Sequence, residues 1–359
     1  MTPNMNSIAA NDSLIHFNDT CYSSLNEYLA EKHFSKIFIL VDENTHQYCL
    51  PLFLEKLQTE VTIEIIEIES GEVNKNIDTC VGVWNTLSEL DADRKSLMIN
   101  IGGGVITDLG GFVACTFKRG IAYVNVPTTL LSMVDASVGG KTGVDLGALK
   151  NQIGVISNAD LVLIDTKYLD TLPKNEMRSG LAEMLKHGLI TGESYWSNFE
   201  DLSKLSLKDL DRLIYESVEI KKNVVEIDPF ENGLRKTLNY GHTLGHAIES
   251  YFLSSPNKTT LLHGEAVVIG MILACYISTQ LTGFPKEKTD AIKSLLTGYY
   301  GKVDINEQEY APIIELLKYD KKNTHGNINF VLLEDIGKTK IDCLVEEQMI
   351  IDAFNFYAS

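Results

Sequence analysis

A chain of 359 residues is longer than one simple hydrophobic core supports, so two domains are expected. With 44% hydrophobic and 22% charged residues it has a globular composition, and no apolar run approaches the roughly 20 residues that span a bilayer. The net charge of −18 argues against nucleic acid and anionic membranes as partners, so any anionic ligand needs cations gathered locally.

The opening residues Met1–Ile8 lack the basic and apolar regions of a signal peptide. Six scattered cysteines with no Cys-x-x-Cys read as free thiols of a reducing, cytoplasmic compartment. The first half then alternates strand and helix patterns. Ser13–Phe17 reads as a short strand and Leu25–His33 as a helix. Lys36–Asp42 is a continuous apolar run ending in an acid, the mark of a buried parallel strand. Asp42 then falls at a strand's carboxyl end, where open α/β sheets bind ligands. Val61–Ile68 is another strand, followed by a polar loop with Glu72 and Lys75 and a helix over Ile77–Leu90.

Ser96–Ile101 is the next strand, and it runs into Gly102-Gly103-Gly104, which opens a helix carrying Asp108. Strand, triple glycine and helix let backbone N–H groups approach a pyrophosphate at a helix N-terminus, although the spacing is not G-x-G-x-x-G. Ile121–Val126 leads into Thr128 and Thr129, whose hydroxyls suit ribose or phosphate. Asp135 to Lys141 follows, with Lys141 behind Gly139-Gly140, resembling a phosphate-holding loop without Walker A spacing. Lys150-Asn151 comes shortly after, and Leu161–Asp165 is the last clear strand of this half.

Beyond Leu172 the pattern changes to long amphipathic helices. A Rossmann-like α/β domain over 1–170 and an all-α domain over 171–359 are therefore expected. One helix groups Glu183, Lys186 and His187 at three- and four-residue spacing; a second, Leu207–Ile227, carries Lys221. The stretch Arg235–Ser250 reads as a helix in which His242 and His246 lie on one side, one turn apart, with Gly241 and Gly245 giving close access. His263-Gly-Glu265 opens the next helix. Asn327–Leu333 reads as a late strand and Glu346–Phe356 as a closing helix. Glu183, His242 and His263 supply one carboxylate and two imidazoles from three helices, a metal set with one position open; His246 is a competing ligand, with His187 and Glu265 behind it. A glycine loop in one domain and a metal set in the other imply a cleft between the two.

In combination these motifs resemble the 3-dehydroquinate synthase family over nearly the whole chain. The stretches that carry the resemblance are Gly102–Phe112, Val126–Leu131, Asp135–Lys141, Lys150-Asn151, Ser179–Glu183, Leu238–Glu249 and Leu262–Val267. The resemblance implies NAD and a divalent metal, zinc or cobalt, a phosphorylated sugar acid as substrate, and a homodimer. It implies Glu183, His242 and His263 as metal ligands. It implies Asp42, Glu72, Lys75, Gly103, Gly104, Asp108, Thr128, Thr129 and Lys150 as NAD contacts. Substrate contacts would be Arg119, Asp135, Lys141, Asn151, Lys186, Lys221, Arg235, Asn239 and His246, together with Lys321 in preference to its neighbour Lys322. Among these, Lys141, Asn151, Lys186 and His246 would act in catalysis, with Glu231 orienting the cluster. One departure stands out: many members continue the Lys-Thr-Gly segment with asparagine-histidine-proline, where this chain has Val144–Leu149. Lys150 is the assignment this touches most.

The implied reaction converts 3-deoxy-D-arabino-heptulosonate 7-phosphate to 3-dehydroquinate and phosphate. A hydroxyl is oxidised, phosphate is eliminated, the ketone is reduced, and an intramolecular aldol step closes the carbocycle. Two rivals share the scaffold: another sugar phosphate cyclase, and a metal-dependent polyol dehydrogenase of the glycerol dehydrogenase type. Asn151, Arg235 and Asn239 together favour a carboxylate-bearing substrate over the first, and the second would not need so many phosphate- and carboxylate-binding cations.

Overall fold

Apolar runs bounded by glycine and acids become the strands of a buried sheet. The structure, a computed structural model, describes residues 6–10, 12–147, 149–202, 205–317 and 328–359. Contacts divide the chain into two units. The first holds Met1–Met177 with Ile214–Lys222, and the second holds Arg178–Leu213 with Asn223–Ser359.

The first unit is built on strands β1 (Ile8–Ala10), β2 (Ser13–Phe17), β3 (Ile37–Asp42), β4 (Ile63–Ile68), β5 (Leu97–Gly102), β6 (Ala122–Pro127) and β9 (Leu161–Ile164). They lie in the order β1-β2-β9-β6-β5-β3-β4, parallel except for β1 against β2. Helices α1 (Thr20–Lys32), α2 (Glu43–Tyr48), α3 (Leu50–Lys56), α4 (Ile77–Glu89) and α5 (Gly104–Thr116) are the crossovers and connections that parallel pairing demands. β5 is buried along its whole length and β3 up to Asp42, as strands covered on both faces must be. The order of connection reverses between β3 and β5. The carboxyl ends of those two strands, Asp42 and Gly102, therefore sit at the switch point where such sheets take their ligands. Outside this sheet, β7 (Lys141–Leu146) and β8 (Leu149–Ile156) form an antiparallel hairpin in a stretch whose glycines read only as a loop.

The second unit is helical, with most of α6 (Lys174–Thr191), α7 (Glu193–Trp196), the two ends of α8 (Leu207–Ile227), α9 (His242–Ser254), α10 (His263–Leu281), α11 (Lys286–Tyr300), α12 (Glu307–Leu316) and α13 (Glu347–Ala358). It also carries one hairpin, β10 (Asn329–Asp335) with β11 (Lys338–Leu344), where a single late strand was expected. The expected boundary near residue 170 differs from the division seen here, because α6 begins in the first unit and the middle of α8 groups with it. α10 is the unit's central helix, with α9, α11, α13 and β10 against it. Among the described residues it is the one helix long and apolar enough to cross a membrane, but most of it is buried inside the unit. The helix opening at His263 was expected, but an apolar stretch of this length was not.

Candidate active site

Two close backbone approaches assemble the second unit's site. A Cβ on Gly264 would lie 2.1 Å from the Ser179 carbonyl oxygen, and the Gly264 N–H donates to Ser179 Oγ at 2.9 Å. Only glycine lets the start of α10 press so tightly on α6. A Cβ on Gly270 would lie 1.9 Å from the Gly241 carbonyl oxygen, so α10 also meets the start of α9 backbone to backbone. The stretch Arg235–Ser250 is accordingly not one helix. Leu234–Asn239 is a 3₁₀ turn, Gly241 adopts a left-handed φ of 76°, and α9 begins at His242. The apolar spacing continues through that break, which concealed it.

His242, His246 and His263 converge, with ring centroids 5.2, 5.4 and 5.6 Å apart and ring nitrogens within 4.8 Å of one another. Glu183 on α6 is fully buried, and its Oε1 lies 3.3 Å from His242 Nε2 and 3.7 Å from His263 Nε2. Both imidazoles are oriented from behind. His242 Nδ1 donates to the Tyr240 carbonyl at 3.1 Å, and His263 Nδ1 stands 3.2 Å from Glu249 Oε2. The Nε2 atoms are left facing Glu183. Burial would raise the Glu183 carboxyl, but the Lys186 ammonium and His242 outweigh it and hold the group well below the usual range, ionised. Burial and the Lys186 cation lower His242. Burial would also lower His263, but the carboxylates of Glu249 and Glu183 raise it to about 9. Two nitrogens and a carboxylate oxygen on one point, each imidazole braced by a second partner, fit a divalent ion. Of the weaker candidates, Glu265 caps α10 by accepting the Leu262 N–H at 3.0 Å.

Around this cluster the unit places further expected residues. Lys186 pairs with Glu183, and both are almost wholly buried. Arg235 is buried and donates from Nη1 to the Pro229 carbonyl at 2.7 Å. Asn239 donates to Glu231 Oε1, with Glu231 at a left-handed φ of 61°. Lys321 and Lys322 lie outside the described residues.

In the first unit the expected cofactor residues gather at the strands' carboxyl ends. Asp42 caps α2, accepting the Thr45 N–H at 2.7 Å, and Thr128 N–H donates to the Gly102 carbonyl at 2.9 Å. No side chain caps α5, so the N–H groups of its first turn, at Gly103 and Gly104, are open to an anion. A Cβ on Gly103 would lie only 3.0 Å from Thr129 Cγ2, so glycine keeps that approach clear. This open turn beside Asp42 fits a dinucleotide. The buried Lys75 donates to Asp108 Oδ2 at 2.6 Å and to Asn151 Oδ1 at 2.7 Å, while Lys150 pairs with Glu72 at 3.1 Å. Lys221 donates to the Asp135 carbonyl at 2.5 Å and to its carboxylate at 2.7 Å.

Lys141 sits in a different element from the one expected, and Arg119 lies away from the strand ends. Lys141 is exposed at the start of β7, a hairpin strand rather than a phosphate loop before a helix. Arg119 is exposed in a 3₁₀ turn with φ 70°, beyond the far end of α5 from Gly103. That separation is on the order of 20 Å at 1.5 Å per helical residue. Sequence reasoning also missed Glu249 and Asp145. Glu249 lies seven residues past His242, two turns on along the same face, and that spacing was the available signal.

Residues 65–179 match the family model for the 3-dehydroquinate synthase N-terminal domain, and residues 180–323 match that for the C-terminal domain. The 3-dehydroquinate synthase of Parabacteroides distasonis is 42% identical over 337 residues, 93% of this chain and 95% of that protein. Among solved structures, 2-deoxy-scyllo-inosose synthase complexed with carbaglucose-6-phosphate, NAD+ and Co2+ is 25% identical, with a TM-score of 0.85, covering 98% of this chain and 99% of that one. Glycerol dehydrogenase from Schizosaccharomyces pombe shares the fold alone, at 15% identity and a TM-score of 0.62, covering 99% and 91%. With both halves matched in register and the relative aligned almost end to end, the chain belongs to the 3-dehydroquinate synthase family.

Proposed function

We propose that the protein converts 3-deoxy-D-arabino-heptulosonate 7-phosphate to 3-dehydroquinate and phosphate, a step toward aromatic amino acids, using NAD and a divalent ion, zinc or cobalt. The observation that carries the reading is the convergence of His242 Nε2 and His263 Nε2 on the buried Glu183 carboxylate, each ring braced from behind. Identity favours this reaction over the rivals, at 42% to a 3-dehydroquinate synthase against 25% to the inosose synthase and 15% to the glycerol dehydrogenase.

Glu183, His242 and His263 would hold the ion. Asp42, Gly103, Gly104, Thr128 and Thr129 would hold the dinucleotide, whose pyrophosphate suits the uncapped start of α5. When bound, the ion supplies Lewis-acid polarisation and the nicotinamide takes up and returns a hydride.

The chain's own groups do the remaining work. Glu183 and Lys186 form a buried ion pair in which the ammonium balances the carboxylate and presents a cation to the substrate. Arg235, fixed to the Pro229 carbonyl, suits two-point recognition of the substrate carboxylate, and Asn239, held by Glu231, donates beside it. Lys141 serves as a point charge for phosphate. His246, one turn along α9 from His242, moves protons during oxidation and elimination. The test is incubation with the heptulosonate phosphate, NAD and metal, with the product identified by mass and NMR. A carbocyclic 3-dehydroquinate supports the reading; an oxidised but still acyclic phosphate ester refutes it.

A further inference from the structure

The hairpin β7–β8 contains one irregularity, and it lies in the stretch where the chain departs from its family's usual run. Val144 faces Ile153 and Leu146 faces Leu149, so Asp145 alone stands opposite Lys150, Asn151 and Gln152. A bulge of this kind re-aims the side chains it contains. Asn151 absorbs the extra length with φ of 51°, in the left-handed region that asparagine tolerates better than most residues.

Asp145 closes the bulge from the opposite strand. Its Oδ1 accepts the Asn151 N–H at 2.6 Å, and its own N–H donates to the Lys75 carbonyl at 2.9 Å. Lys75 Nζ donates in turn to Asn151 Oδ1 at 2.7 Å and to Asp108 Oδ2 at 2.6 Å. An ammonium only donates, so the Asn151 amide oxygen must face Lys75, leaving its NH₂ group as the donor for a ligand.

We propose that Asp145 is a positioning residue: it pins the bulged backbone at Asn151 so that the Asn151 amide is presented to the substrate in one orientation. This rests on the reading that Asn151 contacts the heptulosonate phosphate. Asp145 itself touches no substrate and acts only through Asn151. The hydrogen bond from Asp145 to Lys75 runs through its N–H, and its carboxylate acts on Lys75 only as a nearby charge, so removing the carboxylate leaves the Lys75–Asp108 hydrogen bond in place.

Steady-state kinetics on a double-mutant cycle test this. Asp145→Ala is expected to lower kcat/KM for the heptulosonate phosphate about tenfold, the loss of one charge-assisted hydrogen bond. Asp145→Asn, which keeps an acceptor oxygen, is expected to stay within about threefold of the parent, and the NAD dissociation constant to stay within about twofold in both. In an Asn151→Ala background, Asp145→Ala should cause no further loss. An equal loss in both backgrounds, or no rescue by asparagine, overturns the proposal. Should Asp145→Ala fail to fold, Asp145→Ser, with a hydroxyl too short for the same bond, takes its place in the cycle. If Asn151→Ala alone keeps full kcat/KM, the substrate contact assigned to Asn151 is what fails, a result distinct from the others.

Discussion

Glu249 stands behind His263, its Oε2 3.2 Å from Nδ1, while the ring's Nε2 looks toward Glu183. Both carboxylates are buried, so the imidazole is held between two anions and its orientation is set before any ion arrives. Glu249→Ala should weaken metal binding by about 10- to 100-fold, the usual cost of losing such a partner. Glu249→Gln, whose amide oxygen still accepts from Nδ1–H, should lose less. Competition with a chromophoric chelator gives both constants, and unchanged affinity in the alanine variant removes Glu249 from the site.

The contact of α10 with α6 gives a second expectation. Gly264→Ala puts a methyl carbon 2.1 Å from the Ser179 carbonyl oxygen and 2.5 Å from its Cα, and backbone atoms cannot rotate away. The helices must separate, at a cost of about 1–3 kcal/mol or more, and His263 moves off Glu183. A lower melting temperature together with reduced metal content is expected. A variant that melts like the parent and keeps its metal contradicts this packing.

Much of this was legible in the sequence. The alternation of apolar runs with helices marked the α/β half, and the triple glycine marked the strand end that meets an uncapped helix. Glu183, His242 and His263 stood out as residue types. What stayed hidden was set by contacts distant in sequence. Gly241 and Gly245 were read as giving close access, and what comes close is α10, at Met271 and at Val267. The break before His242 escaped because Leu238 on one side continues the apolar face of Leu244, Ala247 and Ile248 on the other. The hairpin β7–β8 escaped because Gly143 and Gly154, which read as loop, pack against the opposite strand where a Cβ would meet Ile153 O and Thr142 O. Glu249 read as one more acid on a helix until α10 laid His263 against it.

Asp42 carries a pH dependence for the cofactor. Burial raises its pKa above the ordinary value, against the opposing hydrogen bonds from Thr45. In the proposed role the ionised form would accept a ribose hydroxyl, as the acid at this strand end does in dinucleotide sites. The sign follows: a raised pKa means the carboxylate takes its proton at a higher pH than a free aspartate does. NAD affinity should therefore fall as pH decreases, at a higher pH than an ordinary aspartate would give, and recover as pH rises. Asp42→Asn, which still caps α2, should bind NAD more weakly and without that dependence. Titration calorimetry across pH decides, and parallel profiles in both proteins contradict the role.

The two ends of the substrate can be told apart. Lys141→Ala and Arg235→Ala should each lower kcat/KM by about ten- to a hundredfold, the cost of one charge-assisted contact. A carbocyclic carboxylate analogue lacking phosphate should still bind Lys141→Ala, whereas Arg235→Ala should bind it poorly. Equal weakening in both, read by calorimetry, reverses or dissolves the assignment.

In the proposed reaction the hydride taken from the substrate returns to it within each turnover. The most direct measurement is the ratio of phosphate released to NAD supplied, followed together with absorbance at the NADH wavelength. Phosphate should exceed NAD many times over while no NADH accumulates. NADH rising in step with consumed substrate, with turnover stopping once NAD is spent, would make the protein a dehydrogenase and contradict the account.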